Sequence, residues 1–272
     1  MVYRLRSFAI LTLFFVASCG SESPTDTGGA RVATSIVLSH SALNFESVGA
    51  SEQVSAEVSD QNGDPLSSAP VAWSSSDAAI GTVSTSGVVT AVSNGTATIT
   101  ATSGAASATV AVEVSQVAAS LVVSPDPISM ESLGETGQLT AAVEDAEGHV
   151  IPGATVAWVS ADEAVATVSA AGLVTSQGNG TTSVTATSGS ASGSASVTVQ
   201  QVATSVEVTP PPPPFLIPGA TLQLSAMAVD ALGSMVEGAA PIWTSSDPAA
   251  ATVSAEGLVT GIAEGMSVIT AT

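Results

Sequence analysis

Hydrophobic and polar residues alternate with a period of two along much of the chain. Gln53–Ser59 places Val54, Ala56 and Val58 on one face and polar side chains on the other. Thr96–Thr102 reads Thr-Ala-Thr-Ile-Thr-Ala-Thr, and Ala108–Val114 alternates nearly as cleanly. Successive side chains of a strand point to opposite faces, so this pattern predicts strands with one buried and one wet side. Turn-forming segments punctuate them at Asp60-Gln-Asn-Gly63, Ser86-Gly87 and Asn94-Gly95.

The pattern repeats. Trp73, Trp158 and Trp243 are the only tryptophans and lie 85 residues apart in each case. The same frame superimposes Gly49/Gly134/Gly219, Gln53/Gln138/Gln223, Asp60/Asp145/Asp230, Gly63/Gly148/Gly233 and Asp77/Asp162/Asp247 without a gap. Roughly seven short strands per unit, with turns every ~8–12 residues, predict a Greek-key β-sandwich. The expected fold class is therefore all-β: three tandem immunoglobulin-like Greek-key sandwiches of 85 residues, at 32–116, 117–201 and 202–272. Each tryptophan is expected to be the main core plug of its unit, where Trp→Ala costs about 3–5 kcal/mol. Val114-Ser-Gln-Val117 and Val199-Gln-Gln-Val202 run from one unit into the next without a linker, which predicts a semi-rigid array. The third unit reaches Thr272, aligned with Thr102 and Thr187, and so is expected to lack the last strand seen at Ala106–Val114 and Ala191–Val199. A longer chain is expected beyond it.

Composition narrows the function. Acidic residues number 23 against three arginines, and the formal net charge is −20. Nucleic-acid binding needs Lys and Arg to replace phosphate counterions, so no nucleic-acid partner is expected. Two of the arginines, Arg4 and Arg6, precede the apolar run Phe8–Val16. That run is too short to span a bilayer but suits the core of a signal peptide over residues 1–18. Val16-Ala17-Ser18-Cys19 resembles the bacterial lipobox, and Cys19 is the only cysteine. The resemblance implies lipidation at Cys19, a flexible polar tether over 19–31 and a membrane partner held through the lipid. Gly20, which is not an aspartate, implies onward sorting to the outer membrane or cell surface of the bacterial envelope.

The repeat residues resemble the bacterial Ig-like domain group 2, found in intimin- and invasin-type surface proteins. The resemblance rests on Val71-Ala-Trp-Ser-Ser-Ser-Asp77, Gly81-Thr-Val-Ser84, Gly87-Val-Val-Thr90 and Gly95–Thr102. Repeat 2 carries Val156–Asp162 and Gly172-Leu-Val-Thr175, and repeat 3 carries Pro241–Asp247 and Gly257-Leu-Val-Thr260. Modules of this kind serve many proteins as spacers, so the resemblance implies a fold and no particular activity.

Candidate chemistry is sparse. Asp60-Gln-Asn-Gly-Asp64 looks like a calcium loop, but Asp145-Ala-Glu-Gly-His149 and Asp230-Ala-Leu-Gly-Ser234 lose most of its oxygen ligands. What persists is Asp followed three residues later by Gly, a turn pattern (Asp60/Gly63, Asp145/Gly148, Asp230/Gly233). Asp77, Asp162 and Asp247 are expected to accept backbone N–H bonds in loops. His40 and His149 lie in different repeats, which leaves no catalytic triad, and no zinc-type ligand set is present. No catalytic residue, metal, cofactor or small-molecule substrate is expected. Pro210–Pro214 should be polyproline II. Three readings stay open. The chain is a surface stalk presenting a distal domain, an adhesin binding a protein or glycan through its own repeats, or an accessory region of a secreted enzyme with its catalytic domain beyond Thr272.

Overall fold

The computed structural model describes residues 30–211 and 215–272. Cys19, its lipobox and most of the tether fall outside these residues, as do Pro212–Pro214. All regular structure among the described residues is β-strand.

Repeat 1 comprises β1 (Ala33–Leu38), β2 (Ala42–Phe45), β3 (Ser51–Gln53), β4 (Ala56–Asp60), β5 (Ala72–Ser75), β6 (Gly81–Val83), β7 (Val88–Ala91), β8 (Gly95–Ser103) and β9 (Ala106–Val114). One layer is the sheet β2-β9-β8-β5, with β2 parallel to β9 and the other pairs antiparallel. The facing layer consists of the β1-β4 pair and the sheet β3-β7-β6. The alternating segment 53–59 is not one continuous strand. It breaks at Val54-Ser55, where β3 (paired with β7) gives way to β4 (paired with β1). Val54 spans the break by donating its N–H to Gly87 O at 2.9 Å, and its side chain is wholly buried. A strand that changes partners in this way links the two halves of its layer, and the period-two pattern runs through the break unaltered.

Repeat 2 reproduces this arrangement over β10 (Ser120–Ser124), β11 (Ile128–Met130), β12 (Thr136–Gln138), β13 (Thr140–Glu144), β14 (Ala157–Ser160), β15 (Ala166–Val168), β16 (Leu173–Ser176), β17 (Gly180–Ser188) and β18 (Ala191–Val199). Its sheets are β11-β18-β17-β14, β10-β13 and β12-β16-β15. Repeat 3 holds β19 (Ser205–Thr209), β20 (Thr221–Gln223), β21 (Ser225–Val229), β22 (Trp243–Ser245), β23 (Ala251–Val253), β24 (Leu258–Gly261) and β25 (Ile269–Ala271). Its described residues include no counterpart of β9 and β18. Ile269 is accordingly half-buried, whereas Ile99 and Val184 at the same place in the frame are wholly buried.

The cores are built mainly from aliphatic side chains. Ile99, Val54, Val89 and Val110 are fully enclosed in repeat 1, and Met130, Leu139, Val174 and Val184 in repeat 2. The tryptophans differ from the expected central plugs. Trp73, Trp158 and Trp243 are half-buried, and the first two pack against the margin of their clusters. The reason is a close approach to a glycine. Each ring lies over Gly87, Gly172 or Gly257, where an added Cβ would stand 2.9–3.1 Å from the ring and would also collide with the carbonyl of Val54, Leu139 or Leu224. The indole thus closes the sandwich from its edge over a residue that must lack a side chain.

Gly87 also has φ +85°, a left-handed value that favours glycine. Gly63 shares that φ but has open space around it. Gly63→Ala should therefore cost only the backbone term, about 1–2 kcal/mol. Gly87→Ala adds the overlap with Trp73 and Val54 O and should cost about 2–5 kcal/mol. Urea unfolding of the two variants checks this, and equal losses would show that the ring does not press on Gly87.

Candidate functional site: the carboxylate joints

One set of residues that recurs in the 85-residue frame, the aspartates of the Asp-x-x-Gly turns, reaches the contacts between repeats at Asp145 and Asp230. Asp60, Asp145 and Asp230 end or follow the strand before each Asp-x-x-Gly turn, and each is only 2% exposed. Within the turn the carbonyl of each aspartate accepts the N–H of Gly63, Gly148 or Gly233 at 3.0–3.1 Å. Its Oδ1 accepts two further backbone N–H groups. These are Asn62 and Asp64 at 2.8 and 2.9 Å, Glu147 and His149 at 3.1 and 2.9 Å, and Leu232 and Ser234 at 3.0 and 2.9 Å. This is Asx-turn geometry, in which a short carboxylate side chain replaces a backbone acceptor.

The second oxygen reaches out of the repeat. Asp145 Oδ2 accepts Gln116 Nε2 at 2.8 Å and Val48 N at 2.9 Å, the latter from repeat 1. Asp230 Oδ2 accepts Gln201 Nε2 at 3.0 Å and Leu133 N at 2.9 Å, the latter from repeat 2. Each glutamine is held in turn by an asparagine. Asn94 Nδ2 donates to Gln116 Oε1 at 3.1 Å while Gln116 N donates to Asn94 Oδ1 at 2.8 Å, and Asn179 and Gln201 repeat both bonds at the same distances. The junction backbone extends the parallel pairing with β2 and β11, as Val117 N donates to Glu46 O and Val202 N to Glu131 O, both at 2.9 Å. Beside the first joint, the His149 ring packs close to Gly49 of repeat 1.

A buried carboxylate is costly unless its lone pairs are met. Burial pushes the Asp145 pKa up, but the hydrogen bonds from Gln116 and from the N–H groups of His149, Val48 and Glu147 outweigh it and hold the group at about 2. For Asp230 the Gln201 hydrogen bond is the leading effect. It acts against burial and together with the N–H groups of Leu133, Ser234 and Leu232, again giving about 2. No repeat precedes Asp60 among the described residues. Arg31 Nε donates to its Oδ2 at 2.6 Å, and that hydrogen bond lowers its pKa against the opposing effect of burial.

Among the expected site residues, the Asp–Gly turns are thus drawn to the repeat boundaries, while the three tryptophans sit inside their own repeats. Asp77, Asp162 and Asp247 each accept a backbone N–H two residues on, from Ala79, Ala164 and Ala249 at 2.9–3.0 Å. Sequence reasoning missed Asn94, Gln116, Asn179 and Gln201. The 85-residue frame aligns Asn94 with Asn179, and Gln116 with Gln201, and could have exposed them.

The joints should be acid-sensitive. Asp145 and Asp230 have depressed folded pKa values, so their stabilisation is complete above the ordinary aspartate pKa of about 3.9 and is lost as pH falls from there through about 2. Thermal unfolding of the chain followed between neutral pH and pH 2 should show this loss, and Asp145→Asn should flatten the slope. An unchanged slope in that variant would mean the joint carboxylate is not the titrating group. A double-mutant cycle over Asp145→Ala and Gln116→Ala should show strong non-additivity, since either change strands the other partner.

The family comparison agrees with the architecture. The bacterial Ig-like domain (group 2) matches residues 34–114, 119–199 and 202–272. Ice-binding protein 1 of Shewanella frigidimarina (strain NCIMB 400) is 35% identical over 271 residues, which is 98% of this chain and 30% of that protein. The chain thus spans less than a third of this relative. Among solved structures, the S-layer protein SbsC aligns at 20% identity over 90% of this chain and 37% of its own, with a TM-score of 0.33. The Escherichia coli adhesin FdeC aligns at 19% identity over 89% of this chain and 90% of its own, with a TM-score of 0.37. With all three units matched by the family, the chain belongs to the bacterial Ig-like domain (group 2) proteins.

Proposed function

We propose that this chain is the stalk of a non-catalytic, lipid-anchored protein of the bacterial cell surface, with its repeats acting as a spacer for a distal part. The observation that carries this reading is the duplication of one joint. Asp145 and Asp230 are held by the same donor set from the repeat before, through the same two positions of the frame. Two of the most deeply buried carboxylates among the described residues are engaged in holding one repeat to the next. This use suits a protein whose task is to keep a distance. The acidic surface, with a net charge of −20, keeps such stalks apart from one another.

The anchor rests on Val16-Ala17-Ser18-Cys19. A diacylglycerol thioether with an added N-acyl chain meets the two-chain requirement for stable membrane attachment. Cys19→Ser should abolish incorporation of a clickable fatty acid and release the protein from the membrane fraction. Membrane retention by that variant would refute the anchor. Protease shaving of intact cells should remove the wild-type repeats if they face outward.

A second reading, direct adhesion through the repeats, is favoured by the 35% identity to a protein named for ice binding. The purified repeats separate the two readings. A spacer leaves ice recrystallisation unchanged, whereas inhibition of recrystallisation by the repeats alone would favour the second reading.

A further inference from the structure

We infer that the run of bolted joints is closed at both ends: repeat 1 seals its own acceptor with Arg31, and repeat 3 lacks the donors needed to bolt on another repeat of this kind. This deepens the stalk reading, since it states which joints are rigid and where that rigidity stops. Each joint needs two things from the preceding repeat. The first is the backbone N–H of Val48 or Leu133, donated to the buried aspartate. The second is Asn94 or Asn179, which fixes the junction glutamine through one accepted and one donated bond.

The 85-residue frame places Pro218 where Val48 and Leu133 stand, and Glu264 where Asn94 and Asn179 stand. Proline has no amide hydrogen, so it cannot donate to an incoming aspartate. An ionised glutamate accepts but does not donate, so it cannot hold the oxygen of a junction glutamine. It would also add a negative charge beside a carboxylate that the joint buries. The two replacements lie 46 positions apart in the sequence, and each alone removes one element of the joint.

The opposite end is closed in a complementary way. Arg31 occupies the frame position of Gln116 and Gln201. Its Nε takes Asp60 Oδ2 at 2.6 Å, and its Nη2 donates to Pro65 O at 3.1 Å. Gln201 makes the corresponding pair of contacts with Asp230 Oδ2 and Met235 O. The guanidinium meets, with one charged donor, the Oδ2 that a glutamine and a backbone N–H share at the other joints. Asp60 therefore needs no upstream neighbour. A further repeat of this kind joined beyond repeat 3 would not be bolted to it through this joint.

The test places spin labels at Ser194→Cys and Glu256→Cys, on either side of the second joint, in a Cys19→Ser background of the full chain. A single narrow distance peak is expected. Importing the repeat 3 residues into repeat 2, as Leu133→Pro with Asn179→Glu, should abolish that peak, and Asn179→Glu alone, which leaves every backbone donor in place, should broaden it. Retention of the narrow peak in the double variant would overturn the inference. A reciprocal arm extends the chain after Thr272 with a second copy of residues 188–272, which completes repeat 3 and appends another unit. Labels across the new joint should give broad distances with Pro218 and Glu264 in place and narrow ones after Pro218→Leu with Glu264→Asn. Narrow distances with the native Pro218 and Glu264 would also overturn it. Neither arm involves the lipid anchor, so a failure here is distinguishable from a failure of the surface-stalk reading.

Discussion

An aspartate carboxylate enclosed between two folded units has lone pairs that water no longer reaches, and each must be met by a donor fixed in place. At Asp145 and Asp230 one oxygen is satisfied inside its own Asx turn, and the other only by groups of the preceding repeat and its junction. Misaligning the repeats while they stay in contact would leave that second oxygen buried without its partners. The cost of stranding a buried anion thus becomes the energy that orients one sandwich on the next. Everything else at the joint serves this arrangement. Asn94 and Asn179 hold the glutamines, and the parallel pairing along β2 and β11 carries the junction backbone to the right place.

Neutral donors suit this role. A cation at each joint would add a charge to be desolvated, whereas amide N–H groups already belong to the backbone and stabilise the carboxylate without a second buried ion. At Asp60, which no repeat precedes among the described residues, the partner is charged, and Arg31 is half-exposed while the Asp60 side chain is fully covered. The contrast between Arg31 and Gln116 shows one acceptor served in two ways according to its neighbourhood.

Inside each repeat the constraint is size. Aliphatic side chains already fill the interior, and the tryptophan closes the sandwich from the side, above a glycine that sits in a left-handed conformation. Composition suggests the ring as the obvious centre of the core because it is the largest apolar group available. Packing decides otherwise, since Val54, Val89 and Ile99 already fill the interior of repeat 1.

Much of the fold could be read directly from the chain. Period-two alternation located β8 and β9, the 85-residue frame located the three units, and Asp–Gly spacing located the turns, because each depends on which residue types stand close together. The break between β3 and β4 was hidden, since Val54, Ala56 and Val58 keep facing inward while their strand changes partners. The joints were hidden for a deeper reason. Val48 lies 97 residues from Asp145, and its contribution is a backbone N–H that nineteen of the twenty amino acids would supply equally well. Such a donor has no signature of its own in the sequence. Only the tertiary structure reveals where it points, and only proline, as at Pro218, leaves a readable sign that it is missing.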